Sequence, residues 1–178
     1  DELSGVLLID EAYVDFSEDN CLALVKDFAN VLILRSLSKG YGLAGLRFGY
    51  AIAQPELIAG LMKIKDSYNV DAVAIALAAA AIKDQEFFKQ TTEGVKKARD
   101  WLTARLRDLK FDVPVSHSNF VLAESKDRPG SEIYEKLVQR NIYVRYFQLP
   151  GLENKLRITV GTNEQNEKLI SALKDIVL

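Results

Sequence analysis

The sequence carries one cysteine, one histidine and no apolar run long enough to cross a bilayer, and each scarcity removes a class of protein. Cys21 alone cannot build an internal disulfide framework, and it fits a reducing compartment. His117 alone cannot make a multi-histidine metal site, and no cysteine cluster replaces it, so no metal is expected. The longest apolar run, residues 72–82, is alanine-rich and too short for a membrane span. Neither sign of charge dominates: 23 Lys and Arg face 25 Asp and Glu, a net charge of −2, so neither a nucleic-acid nor a membrane surface is expected. No signal peptide is read, since "DELSG" leads at once into an apolar strand, and a cytoplasmic protein is the expectation. The initial residue is not Met, and the single methionine is Met62, so this start is not expected to be the natural one. What remains is ordinary for a soluble globular chain: 178 residues, 48% hydrophobic and 27% charged, enough for one core or one core with a small satellite.

The order of patterns reads as α/β followed by α+β. "GVLLID" (5–10) and "VLILRS" (31–36) are continuous apolar runs, as in strands covered on both faces. "CLALVKDF" between them reads as a crossover helix, which makes the two strands parallel neighbours. "FGYAIA" (48–53) reads as a third strand, expected antiparallel, and Pro55 opens a helix after it. Asp71 caps the next helix, whose residues 72–82 are apolar all round and so expected to be buried. A long amphipathic helix follows, with Phe88, Val95, Ala98, Leu102, Leu106 and Leu109 at helical spacing. Then come a strand ("NFVLAE"), a helix from near Ser131, two strands ("IYVRY" and "KLRITVG") and a last helix from about Asn163. A boundary is placed within the long helix near residue 90, giving domains 1–90 and 91–178.

Chemistry concentrates where two strands end. Ligands in open parallel sheets sit beyond the carboxyl ends of the strands. Asp10 ends the first strand, and "SLSKGYGLAGLR" follows the second. A carboxylate, two hydroxyls (Ser36 and Ser38), the amine of Lys39 and the guanidinium of Arg47 would then share one pocket. Lysine amines in such pockets form Schiff bases with carbonyls. Small neighbours let backbone approach a phosphate, for which Arg47 offers a fork of donors. A carboxylate facing a pyridinium nitrogen is what pyridoxal phosphate requires as an electron sink. Taken singly, each motif also fits a solvated loop lysine or an ordinary turn aspartate.

A second candidate pocket follows from strand alternation. In "IYVRY", Ile142 and Val144 share one face and Tyr143 and Arg145 the other; in "LRITV", Leu156, Ile158 and Val160 point inward, leaving Arg157 and Thr159 opposite. Two arginines could thus face one anion-binding pocket, or simply pair with surface carboxylates. Asn119 is a further candidate for that pocket. His117 reads as a loop histidine, Cys21 as a half-buried thiol and Trp101 as core.

"IDEAYVDF" followed by "LRSLSKGYGLAGLRFGY" resembles the pyridoxal-phosphate-dependent aminotransferases of fold type I, most closely the histidinol-phosphate aminotransferases, and "SYNVDAVAIALAAAAI", "SNFVLAE", "IYVRYF" and "LRITVGTNEQN" extend the likeness over nearly the whole chain. Ser36 departs slightly, since threonine is common there, but the hydroxyl is kept. The resemblance implies the C-terminal half of the large cofactor domain plus a small α+β domain. It implies Lys39 as the residue that binds the cofactor covalently and moves the substrate proton. Asp10 would face the pyridine nitrogen, Tyr13 the cofactor's phenolic oxygen, and Ser36, Ser38 and Arg47 the phosphate. Arg157, Arg145 and Asn119 would contact substrate. Histidinol phosphate would be the amino donor and 2-oxoglutarate the acceptor, giving glutamate, in a homodimer. A threonine-phosphate decarboxylase, an aromatic aminotransferase or a non-catalytic scaffold piece are the competing readings. Preceding sequence is expected to supply a ring-stacking aromatic, an asparagine, a glycine-rich phosphate cup and further central strands. The first strand is expected at an unpaired edge, and this piece alone is expected to hold no cofactor firmly and to show little activity.

Overall fold

Two short apolar segments found the first sheet. In the computed structural model, which describes residues 3–177, Leu7–Asp10 forms β1 and Val31–Ser36 forms β2. They pair in parallel, Leu7 opposite Val31 and Asp10 opposite Leu34. Gly49–Ile52 forms β3, antiparallel to β2, with Ser36 opposite Gly49. The order β1-β2-β3 leaves β1 at an edge, as the strand reading expected. The cover expected on both faces of β1 is incomplete among the described residues: Ile9 packs on the Val25, Val31 and Ile33 cluster, whereas Leu8 is 52% exposed. The connecting helix is also shorter than its pattern suggests. Only Leu24–Asp27 (α1) is helical, because polar side chains hold the start of the segment as loop: Cys21 N donates to Glu11 Oε1 and Leu22 N to Asn20 Oδ1. Val25 of α1 packs on Val31 and Ile33.

Pro55 opens α2 (Pro55–Ile64) at its first position, where the fixed φ suits a helix and the missing N–H costs nothing. The N-cap of α3 (Ala72–Lys83) is Asp71, whose Oδ1 accepts from Ala74 N at 2.8 Å. Asp71→Ala should lower stability of the complete protein by about 1 kcal/mol, read from denaturant melts; an unchanged midpoint would contradict the cap. The expectation that α3 is buried all round is corrected. Ala74 and Ala78, one turn apart, are buried, whereas Val73 is 67% exposed and Ile75 and Leu77 are exposed with it. Small alanines let one face approach its neighbours closely, and no described residue covers the rest.

Helix α4 (Gln85–Asp108) runs through the division between two compact units, one up to Thr92 and one from Glu93. The second unit contains β4 (Phe120–Glu124), α5 (Gly130–Val138), β5 (Arg145–Tyr146), β6 (Lys155–Thr159) and α6 (Asn163–Val177). Its sheet is antiparallel in the order β4-β6-β5. Leu102 and Leu106 of α4, Leu137 of α5 and Leu173 of α6 are fully buried against Val121 and Leu156. Trp101, expected in the core, is instead 37% exposed, with the Arg105 guanidinium 6.0 Å from its ring centroid. It lies one residue, about 100° of helix rotation, off the Leu102–Leu106 stripe. The strand expected over 142–146 narrows to two residues, since Asn141 takes a left-handed φ of 56° and the chain joins the ladder only at Arg145. Among the described residues no helix is long and apolar enough to cross a membrane.

Candidate active site

Both parallel strands hand their chain to a side-chain-capped turn at the same end of the sheet. Asp10 Oδ1 accepts from Ala12 N at 2.9 Å, bending the chain into a 3-10 turn at Val14–Phe16. Ser36 Oγ accepts from Ser38 N at 3.0 Å and does the same after β2. Asp10 and Ser36 line one shallow cleft of about 430 Å³ with Arg35, Gly49 and Tyr50. Lys39, Ser38, Tyr13 and Arg47 lie outside that lining. Lys39 is exposed, its Nζ 5.4 Å from the centroid of the Tyr13 ring. The turn after it closes by Gly42 N donating to Lys39 O at 3.0 Å, with Gly42 at φ +67°, which a side chain would resist. A 3-10 turn at Ala44–Leu46 then ends on Arg47, a non-glycine residue at φ 52° and ψ 36°. Such a conformation is costly and tends to persist where a site requires it. Arg47 Nη1 donates to Ala44 O at 2.9 Å and its side chain is otherwise open to solvent.

Three charged residues that sequence reading did not single out brace this end. Buried Glu11 takes Arg35 Nε at 2.9 Å and Nη2 at 2.8 Å on one oxygen, and Cys21 N at 2.5 Å on the other. Burial works against the Arg35 charge, but the Glu11 carboxylate and the Tyr50 hydroxyl outweigh it and raise its pKa. Asp15 is the third. Burial pushes its carboxyl up, against the opposing pull of the Arg35 charge and of the Gly40 N–H. A raised carboxyl contributes stability that is complete below the ordinary carboxylate range, near pH 3.9, and is lost as pH rises through its folded value. At neutral pH ionised Asp15 therefore costs stability. Asp15→Asn should flatten the dependence of melting temperature on pH between acid and neutral and raise it at neutral pH. A variant that tracks the parent across that range would contradict this.

In the second unit the two predicted arginines meet. Arg145 and Arg157 stand directly opposite across β5 and β6. Both line a cleft of about 590 Å³, together with Tyr143, Gln165, Asn166 and Lys168. No carboxylate is among its lining residues. The Arg157 guanidinium carbon sits 4.9 Å from the Phe120 ring centroid, and its buried Nε has no hydrogen-bond partner among the described residues. Asn166 clamps the floor, its Nδ2 donating to Gly161 O and its Oδ1 accepting from Gly161 N, both at 3.0 Å. Asn119 does not line this cleft: it accepts from Val160 N through its main-chain carbonyl. His117 is exposed in a loop and Cys21 half-buried, as read. Lys168 and Asn166 were legible only as part of a helix start.

Residues 1–173 match the family model described as aminotransferase class I and II. The chain belongs to that aminotransferase family. It is 53% identical over 176 residues, 99% of its length, to histidinol-phosphate aminotransferase 1 of Trichormus variabilis. It spans about half the length of the curated relatives it matches, 50% in that case. Among solved structures it is similar to histidinol-phosphate aminotransferase from Sinorhizobium meliloti in complex with pyridoxal-5'-phosphate, at 26% identity and TM-score 0.85, covering 97% of this chain and 48% of that one. It is also similar to L-threonine-O-3-phosphate decarboxylase from Porphyromonas gingivalis, at 27% identity and TM-score 0.79, covering 95% of this chain and 54% of that one. One aminotransferase-type backbone thus carries two reactions, and the side chains must distinguish them.

Proposed function

We propose that this chain supplies the lysine-bearing part of a pyridoxal-phosphate-dependent aminotransferase that moves an amino group from histidinol phosphate to 2-oxoglutarate. The proposal extends to a homodimer working in the cytoplasm, with residues 1–90 in the cofactor domain and 91–178 forming the small domain. The observation that carries it is a pair of groups at each of two neighbouring places after the parallel strands: Asp10 and Ser36 line one cleft, and on the turns that follow, Lys39 Nζ lies 5.4 Å from the Tyr13 ring centroid.

The donor set suits the cofactor. Among the described residues the Lys39 amine makes no hydrogen bond or ion pair, so it is available to an aldehyde. When bound, pyridoxal phosphate supplies the electron sink for breaking the substrate Cα–H bond. The protein's own groups do the remainder. Lys39 takes the Cα proton and returns one; Asp10 places a fixed negative charge at the end of β1 for the pyridinium; Tyr13 offers its hydroxyl to the phenolic oxygen. Ser36, Ser38 and Arg47 hold the phosphate. Arg157, assisted by Arg145 and with Asn119 as the weaker candidate, takes the substrate anion, a phosphate in one half-reaction and a carboxylate in the other. A planar guanidinium accepts both in bidentate fashion.

The test is glutamate formation from histidinol phosphate and 2-oxoglutarate by the complete protein loaded with cofactor. Carbon dioxide released from threonine phosphate, with no glutamate, would favour the decarboxylase reading. Neither product would defeat both.

A further inference from the structure

Gly40, the residue after the candidate lysine, is a glycine whose backbone does not ask for one. The glycines with positive φ in the described chain are Gly42 and Gly151, so residue 40 has a conformation open to any side chain. Space is what excludes a larger residue there. A Cβ on Gly40 would stand 2.6 Å from Asp15 Cβ and 2.7 Å from Asp15 Cγ, closer than real side chains come. The Asp15 carboxylate lies against this buried stretch of backbone, close enough for the Gly40 N–H to pull its pKa down. Asp15 is itself well anchored. It belongs to the turn Val14–Phe16, whose Phe16 is 2% exposed, and it follows Tyr13, the ring facing Lys39 Nζ. One short segment therefore touches the lysine turn twice, on the Lys39 side chain and on the next peptide.

We propose that Asp15 is a positioning residue for Lys39, its carboxylate holding the Gly40 peptide and so fixing the direction in which the lysine side chain leaves its turn. The catalytic meaning rests on Lys39 being the cofactor-bearing lysine, as proposed above; the clamp on Gly40 does not. A free turn would spread the amine over several directions, and small misplacements of a reacting group are costly: about 1 Å can cost on the order of 10²-fold in rate.

The experiment is a double-mutant cycle in the complete protein: Asp15→Ala, Gly40→Ala, both together, and Asp15→Asn. Two readouts are taken, hydrogen exchange of the Gly40 amide in the cofactor-free protein and kcat and KM of the loaded one. Asp15→Ala should speed Gly40 exchange and lower kcat roughly 10- to 100-fold with KM for both substrates little changed. Asp15→Asn keeps an acceptor oxygen and should recover most of that loss. Gly40→Ala should be damaging in the parent and only partly relieved once Asp15 is alanine, because the carboxylate atoms are gone while the Cβ of residue 15, 2.6 Å away, remains. Additive effects, or Gly40 exchange unmoved by Asp15→Ala, would overturn the proposal. If borohydride labels a lysine other than Lys39 while the two substitutions stay coupled in exchange, the functional reading falls and the clamp stands. Should Gly40→Ala not fold, Asp15→Ala against Asp15→Asn still decides the matter through exchange and the split between kcat and KM.

Discussion

Lys39→Ala in the complete enzyme should lose turnover by roughly 10⁴-fold or more, because in the proposed function one amine serves both as the point of covalent attachment and as the proton carrier, and a positioned acid–base group alone contributes about 10² to 10⁴. Cofactor affinity should fall less steeply than turnover, since Ser36, Ser38 and Arg47 still offer phosphate donors. The measurement is the single-turnover absorbance change with histidinol phosphate, paired with borohydride trapping in the parent and peptide mass. The label should appear on the peptide containing "SLSKGYG". A label elsewhere, or a variant retaining a few per cent of the parent rate, would remove Lys39 from its role.

Arg157→Ala should raise KM for both substrates and lower kcat/KM by roughly 10- to 150-fold, the equivalent of a lost charge-assisted contact of about 1.5–3 kcal/mol. The buried Nε without a partner among the described residues and the carboxylate-free lining of the cleft favour the proposed reading of this arginine as a ligand group over half of a structural ion pair. Arg157→Lys should recover only part of the loss, since an ammonium lacks the planar fork. Unchanged rates at low concentrations of both substrates would show that the residue serves the fold alone.

The readable parts of this molecule were those governed by local rules. Alternation placed Arg145 and Arg157 on one face, and they stand opposite each other. Apolar runs separated by a connecting segment gave parallel β1 and β2, and Asp71 and Pro55 marked helix starts through capping and φ. What escaped was set by tertiary contact. Nothing in "CLALVKDF" reveals that Glu11 would take the Cys21 N–H and shorten the helix to four residues. The all-apolar sequence of α3 specifies a helix that welcomes burial, and cover depends on what lies against it. Asp15 looked like one acid in a chain of 25 acidic residues, and its contact with Gly40 joins positions with no shared periodicity. For Asn119, just before β4, the structure shows only its main-chain carbonyl accepting from Val160 N, a contact that the side chain's polarity could not foretell.

The opposition of Arg145 and Arg157 has a thermodynamic side. Like charges directly across a ladder repel, so the β5–β6 pairing carries a penalty for as long as nothing sits between them. A dianion in the cleft removes that penalty as it binds, and its binding energy appears as folding stability. The short two-residue strand β5 is where this should be felt first. The melting temperature of the complete protein should then climb with phosphate or sulfate even without cofactor, and Arg145→Ala should reproduce part of the gain in their absence. The two guanidinium groups proposed to take an anion are thus also the ones whose mutual repulsion weakens the β5–β6 pairing.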